Sequence, residues 1–112
     1  MDELFTRNEL YWGVDFQKFL SNKNVAVFGL GGVGGYCVEM LARSGVGNLT
    51  IVDFDCVSKS NINRQIIAKT STIGQKKTDL FKNRLKDINP EINLNVIDDF
   101  YTDDNSILDE VD

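Results

Sequence analysis

Gly29-Leu30-Gly31-Gly32-Val33-Gly34 follows directly on Asn24-Val25-Ala26-Val27-Phe28, a β-rich apolar run, and opens a stretch with helical spacing. Glycines at the first, third and sixth places of such a turn let the backbone bend sharply and approach a phosphate with no Cβ in the way. The helix beyond the turn then offers free N–H groups and the positive end of its dipole to that phosphate. A carboxylate, Asp53, ends the next apolar run, Leu49-Thr50-Ile51-Val52. It stands where domains of this kind hold a ribose. Strand, glycine turn, helix, strand and acid predict a Rossmann-like α/β fold with a doubly wound parallel sheet and a bound nucleotide. The competing reading, in which the glycines serve only helix-on-sheet packing, is weakened by the flanking elements and by Asp53.

The remaining pattern extends this frame. Two short helices are predicted near residues 7–12 and 15–20, the second with Phe16, Phe19 and Leu20 on one face. Residues 24–28 form a continuous apolar run, as in a strand buried on both faces of a parallel sheet. Past the glycine turn, Val33, Cys37, Met40 and Leu41 recur at helical spacing, and Ser44-Gly45 supplies a stop. A loop from residue 54 to about residue 72 is long for a compact domain and therefore a candidate functional segment. A helix over 75–88 places Phe81, Leu85 and Ile88 inward, and Asn89-Pro90 ends it. Residues 92–97 alternate into a third strand, and 103–110 predict a last short helix. The organisation expected is thus N-terminal helices over 1–23 and a partial nucleotide-binding domain over 24–112. Only the N-terminal half of a doubly wound sheet is present, so the chain reads as truncated.

Composition narrows the function classes. The chain has 112 residues and no histidine, and Cys37 and Cys56 sit in no CxxC pattern. Neither a structural zinc site nor a Cys-His nucleophile can be assembled from these residues alone, and no metal ligand set is predicted. Each cysteine reads as a small buried or half-buried side chain. No apolar run approaches the ~20 residues that span a bilayer, and the polar, acidic N-terminus is no signal peptide. A cytoplasmic location without membrane contact is the expectation. The net charge of −5 is unevenly spread: residues 98–112 hold seven acids and no base, so the first 97 carry twelve bases against ten acids. From Lys59 to Lys86 there are eight bases and one acid, Asp79. A basic middle in an acidic chain predicts a polyanionic ligand near that segment, although a solvated helix face rich in lysine explains part of it.

The loop carries the chemistry. Asp53-Phe54-Asp55-Cys56-Val57-Ser58-Lys59-Ser60-Asn61-Ile62-Asn63-Arg64-Gln65 lies beyond the carboxyl end of a strand, where ligands bind in such sheets. Lys77 follows near the start of the next helix. Asp53 suits ribose hydroxyls, while Arg64 and Lys77 suit a triphosphate, the one as a planar fork and the other as a point charge. A redox dinucleotide domain leaves Asn61, Arg64 and Lys77 unexplained. The set predicts an ATP site for phosphoryl or nucleotidyl transfer, in which positioning and charge stabilisation dominate.

Five stretches, G-L-G-G-V-G, A-R-S-G-V-G-N-L, D-F-D-x-V-x-x-S-N-I-N-R-Q, G-Q-K-K and I-N-P, resemble the adenylation domain of the ubiquitin-activating-enzyme-like ThiF family. The resemblance covers nearly all of residues 4–100. It implies an ATP-dependent enzyme that joins a carboxylate to AMP, releases pyrophosphate and passes the activated acyl group to a nucleophile. T-R-N-E-L-Y-W-G, S-N-I-N-R-Q and S-T-I-G resemble most the family's tRNA-modifying branch, which cyclises threonylcarbamoyl-adenosine. A tRNA substrate agrees with the basic segment.

Carried over position by position, the resemblance implies that Gly29, Gly31, Gly32 and Gly34 cradle ATP and that Asp53 binds its ribose. Ser60, Asn61, Ile62, Asn63 and Arg64 would line the site, with Arg64 and Lys77 on the phosphates. Asp55 would orient Arg64 or merely begin the loop. Arg7 matches an arginine that the family presents across a homodimer interface to the partner's ATP, and its plainer reading is an exposed helix-start residue. Lys59 and Lys76 read as surface lysines. The family's magnesium-binding aspartate has no match here, so Mg2+ is expected with a ligand beyond residue 112, and the fragment alone is expected to be inactive. Two other functions stay open at this point. One is an adenylyltransferase for a ubiquitin-like sulfur-carrier protein, with a sulfur-relay partner; the other is a non-catalytic nucleotide-binding or dimerisation module.

Overall fold

The computed structural model describes residues 3–99 and 111–112. A one-turn 3-10 helix at Glu3–Phe5 leads into α1 (Thr6–Trp12) and α2 (Val14–Ser21). Strand β1 (Asn24–Phe28), helix α3 (Gly32–Ser44) and strand β2 (Asn48–Val52) then make one β-α-β unit. Helix α4 (Lys77–Ile88) and strand β3 (Asn93–Ile97) make the next. The strands are parallel in the order β1-β2-β3, and their registers align Asn24 with Asn48 and Asn48 with Asn93. Such crossovers are right-handed, which puts α3 and α4 on the same face of the sheet. The short helix expected over 103–110 lies outside the described residues.

The core forms on that face. Leu49 and Ile51 of the central strand are buried, flanked by Val25 and Val27 on β1 and by Leu94 and Val96 on β3. Val38 and Ala42 of α3 and Phe81 and Leu85 of α4 close over them. The long loop joins this core through Val57, Ile67 and Ala68. It is therefore packed down along its length and carries two 3-10 turns, Lys59–Asn61 and Thr70–Thr72.

Four expectations are corrected. Val33 and Met40 are exposed (87% and 61%), as is Cys37, while Leu41 is only half-buried. The buried stripe of α3 is instead Gly35, Val38, Glu39 and Ala42. Small residues form that face because α4 comes close: a Cβ on Gly35 would stand 3.0 Å from Phe81 Cζ. Cys56 is also exposed, so neither cysteine is a buried packing residue. In α2, Phe16 and Phe19 are exposed and Gln17 is the buried residue. Its Nε2 donates to Ser44 O at 2.9 Å and its Oε1 accepts from Trp12 Nε1 at 2.8 Å, which fastens α1 and α2 to the end of α3. Finally, β1 is half-buried and not enclosed on both faces, because no described helix covers the face bearing Ala26 and Phe28.

Beyond β1, the chain's last described residues return to the sheet. Asp112 N donates to Asn24 O at 2.7 Å, and Asn24 N donates to the Asp112 carboxylate.

Candidate nucleotide site

The carboxyl ends of the three strands finish level with one another, and an open cavity of about 660 Å³ lies there. That volume falls within the range of small-molecule sites. Gly29 and Gly31 of the glycine turn, Asp53 and Asp55, and Lys77 line it, together with Asp99. Phe28, Val52 and Phe54 supply apolar walls that the sequence reading did not single out. Their signal was positional: two are the last residues of their strands and the third follows Asp53.

The turn is built around Asp53. Its Oδ2 accepts from Leu30 N at 2.6 Å and its Oδ1 from Asp55 N at 2.7 Å. One carboxylate thus joins the glycine turn to the start of the loop, and its remaining lone pairs stay available to a ligand's hydroxyls. Gly29 has φ +91°, a left-handed conformation that glycine adopts without strain. Gly34 has a different role: a Cβ there would fall 1.7 Å from Gly29 O. It lets the first turn of α3 sit against the strand end and does not line the cavity.

Lys77 begins α4 and is 4% exposed. Its backbone N donates to Asp55 O at 3.1 Å, which pins the helix start beside the acid. It has no carboxylate partner within ion-pair distance among the described residues. A buried ammonium without a counter-ion carries a desolvation cost that an anionic ligand relieves. Its neighbour Lys76 is bound to Asp98, whose hydrogen bond and charge raise the lysine's pKa above its ordinary value.

The S-N-I-N-R-Q segment sits beside the cavity and does not line it. Asn61 is buried, and its Oδ1 accepts from Ser58 N at 2.8 Å, which closes the first 3-10 turn. Ser60, Ile62 and Asn63 are exposed on that turn and the one after it. Arg64 is exposed, with Nη1 donating to Ser60 O (3.0 Å) and to Asn63 Oδ1 (2.9 Å). Its aliphatic stem covers Gly32, where a Cβ would stand 3.5 Å from Cγ. Arg64 therefore lies over the N-terminus of α3. Gln65 is buried, with Nε2 3.8 Å from the place of a Gly31 Cβ and Oε1 unpartnered.

Arg7 is remote from all of this. Asn8 Nδ2 donates to Arg43 O, so α1 packs at the C-terminal end of α3. The eleven residue steps from Gly32 to Arg43 separate the two ends by roughly 16 Å at ~1.5 Å per residue. No group of three His, Cys, Asp or Glu side chains forms a metal site among the described residues.

The chain is 50% identical over 100 residues to the tRNA threonylcarbamoyladenosine dehydratase of Bacillus subtilis, covering 89% of this chain and 39% of that protein. It is 42% identical over 90 residues to the molybdopterin-synthase adenylyltransferase of Escherichia coli, covering 79% and 36%. The chain thus spans about two fifths of the length of these relatives. Among solved structures, the E. coli tRNA N6-threonylcarbamoyladenosine dehydratase in complex with ATP superposes with a TM-score of 0.88 at 37% identity, over 92% of this chain and 42% of that one. The ThiF family profile matches residues 5–112, and the chain belongs to the ThiF family.

Proposed function

We propose that the protein is a cytoplasmic, ATP-dependent carboxylate-activating enzyme that cyclises threonylcarbamoyl-adenosine in tRNA. The observation that carries the ATP reading is Lys77, a buried cation with no counter-ion among the described residues, which lines the cavity beside Asp53 and the glycine turn. Identity of 50% to a tRNA threonylcarbamoyladenosine dehydratase supports the substrate.

In this reading a carboxylate oxygen of the modified adenosine attacks the α-phosphorus of ATP and pyrophosphate departs. Negative charge grows on the phosphoryl oxygens, and Lys77 and Arg64 are the groups of this chain that meet it. The glycine turn and the N-terminus of α3 hold the phosphates, and Asp53 receives the ribose hydroxyls. The acyl group, now carrying AMP, is attacked by a nucleophile of the same side chain. AMP leaves and the ring closes. Magnesium would supply further charge stabilisation at the phosphates; no cluster of carboxylates among the described residues is placed to hold it. The protein acts as a homodimer in which Arg7 serves the partner's site, a role supported by its place at the far end of α3 from its own glycine turn.

Isothermal calorimetry and a pyrophosphate-release assay test the proposal. The full-length enzyme, of whose relatives these residues match about two fifths, is expected to bind ATP at least tenfold tighter than NAD, and to release pyrophosphate with threonylcarbamoyl-modified tRNA but not with unmodified tRNA. Tighter NAD binding overturns the ATP assignment. Release stimulated by a ubiquitin-fold sulfur carrier and indifferent to tRNA moves the protein to the second reading, which the 42% identity to a molybdopterin-synthase adenylyltransferase favours.

A further inference from the structure

The eight bases from Lys59 to Lys86 do not act together, and the fold sorts them. Lys76 is bound to Asp98, and Arg84 holds Glu39 across the α3–α4 contact at 3.1 Å. Lys86 donates to Ile92 O, and Lys77 is buried in the cavity wall. Lys82 stands on α4 three residues from Asp79, which shares its helix face. Three cations are left on the loop: Lys59, Arg64 and Lys69. All are exposed and have no ion-pair partner among the described residues.

These three sit on a stretch, residues 56–78, that contains no acid. Its shape is set before any ligand arrives. The 3-10 turn at Lys59 is closed by Asn61 Oδ1 on Ser58 N, and the turn after Lys69 by Thr72 Oγ1 on Lys69 N, each at 2.8 Å. Val57, Ile67 and Ala68 anchor the intervening chain in the core. Arg64, at the middle of the stretch, lies over Gly32 at the edge of the nucleotide site. At the end of β3, Asp98 is paired with Lys76 and Asp99 lines the cavity.

We propose that the ordered loop carrying Lys59 and Lys69 is the surface along which the RNA substrate's sugar–phosphate backbone runs as the modified nucleotide enters the site. This rests on the tRNA reading above. A nucleotide whose carboxylate must reach the α-phosphorus brings its two flanking phosphodiesters to the mouth of the cavity. Among the described residues, the loop beside that mouth offers exposed positive charge outside any ion pair, and it is already ordered, so little conformational entropy is lost on contact.

The test is binding of threonylcarbamoyl-modified tRNA to the protein as a function of salt, for wild type, for the double variant Lys59→Gln/Lys69→Gln, and for Lys82→Gln. Each phosphate contact in a single strand contributes a slope of ~0.7 in log K against log salt. The double variant is expected to lose about 1.4 from the slope and about tenfold in affinity near 0.15 M salt. Its ATP affinity and melting temperature should match wild type, and Lys82→Gln should keep the full slope. A double variant with the wild-type slope overturns the inference. So does an equal loss in Lys82→Gln, which would mean a diffuse charge effect. Wild-type protein that binds ATP but not the modified tRNA fails the substrate reading itself, and that outcome is separable because it needs no variant.

Discussion

Lys77 couples stability to function. Its burial, with no counter-ion among the described residues, costs free energy in the empty protein. Lys77→Met keeps the stem's packing and removes the charge. The expected result is an unchanged or raised melting temperature with ATP affinity reduced by about 2–5 kcal/mol, the range for losing one partner of a desolvated charge pair. Differential scanning fluorimetry and calorimetry on the same sample check both; a variant that melts early and still binds ATP refutes the role. Gly34→Ala behaves differently, because its Cβ would collide with Gly29 O and the turn must open. At this scale the sequence announced Asp53, the glycines and Lys77 as types at spacings. It did not announce that Asp53 would already hold two backbone N–H groups, or that Asn61 would be spent on closing a turn. Those facts depend on which lone pairs the backbone claims first, and that is settled only by three-dimensional geometry.

Helix α3 shows why an element can be legible while its orientation is not. The glycine turn fixed its start and Gly45 its end, but the large apolar residues Val33 and Met40 face outward. Periodicity weights size, whereas close helix packing against Phe81 selects Gly35 and Ala42. Glu39 completes that contact. It is 7% exposed; desolvation raises its pKa, but hydrogen bonds from Arg84 and Arg43 outweigh this and hold it below the ordinary 4.5. A carboxylate with a depressed folded pKa contributes stability that is present above its unfolded value and is lost as pH falls through the folded one. Glu39→Gln is therefore expected to be less stable than wild type at pH 7, with the gap narrowing below pH ~4. Urea titrations at both pH values measure it, and a gap independent of pH removes the carboxylate from the account. Gln17 works likewise for α1 and α2. Gln17→Leu strands Ser44 O and should cost about 1–3 kcal/mol.

At the level of the whole molecule, one face of the sheet carries α3 and α4, and the other, with Ala26, Thr50 and Asn95, carries no described helix. The outer side of β1 begins to pair with Asp112. The strand order was legible because parallel crossovers leave few choices. Which face would be covered was not, since β1 is apolar on both faces after Asn24 and polar residues alternate with apolar ones only on β2 and β3. The remoteness of Arg7 from its own site makes a further prediction about assembly. Mixing Arg7→Ala and Arg64→Ala chains should restore activity at some sites of the mixed dimer, measured as pyrophosphate release. Full activity from a demonstrated monomer would exclude a shared site.

The three strands start level on asparagines and end level on Phe28, Val52 and Ile97, five residues each, with no stagger between neighbours. The site is thus measured out by counting. One residue added inside β1 would carry the glycine turn about 3.3 Å past Asp53, breaking the bond to Leu30 while reversing which side chains meet the core. The same residue added at Pro90 would sit in an exposed turn at the other end of the sheet, where nothing is aligned with it. Length variation in this protein is accordingly expected to be forbidden between residues 24 and 53 and tolerated around residue 90, a contrast that a library of single-residue insertions scored by nucleotide retention would display directly.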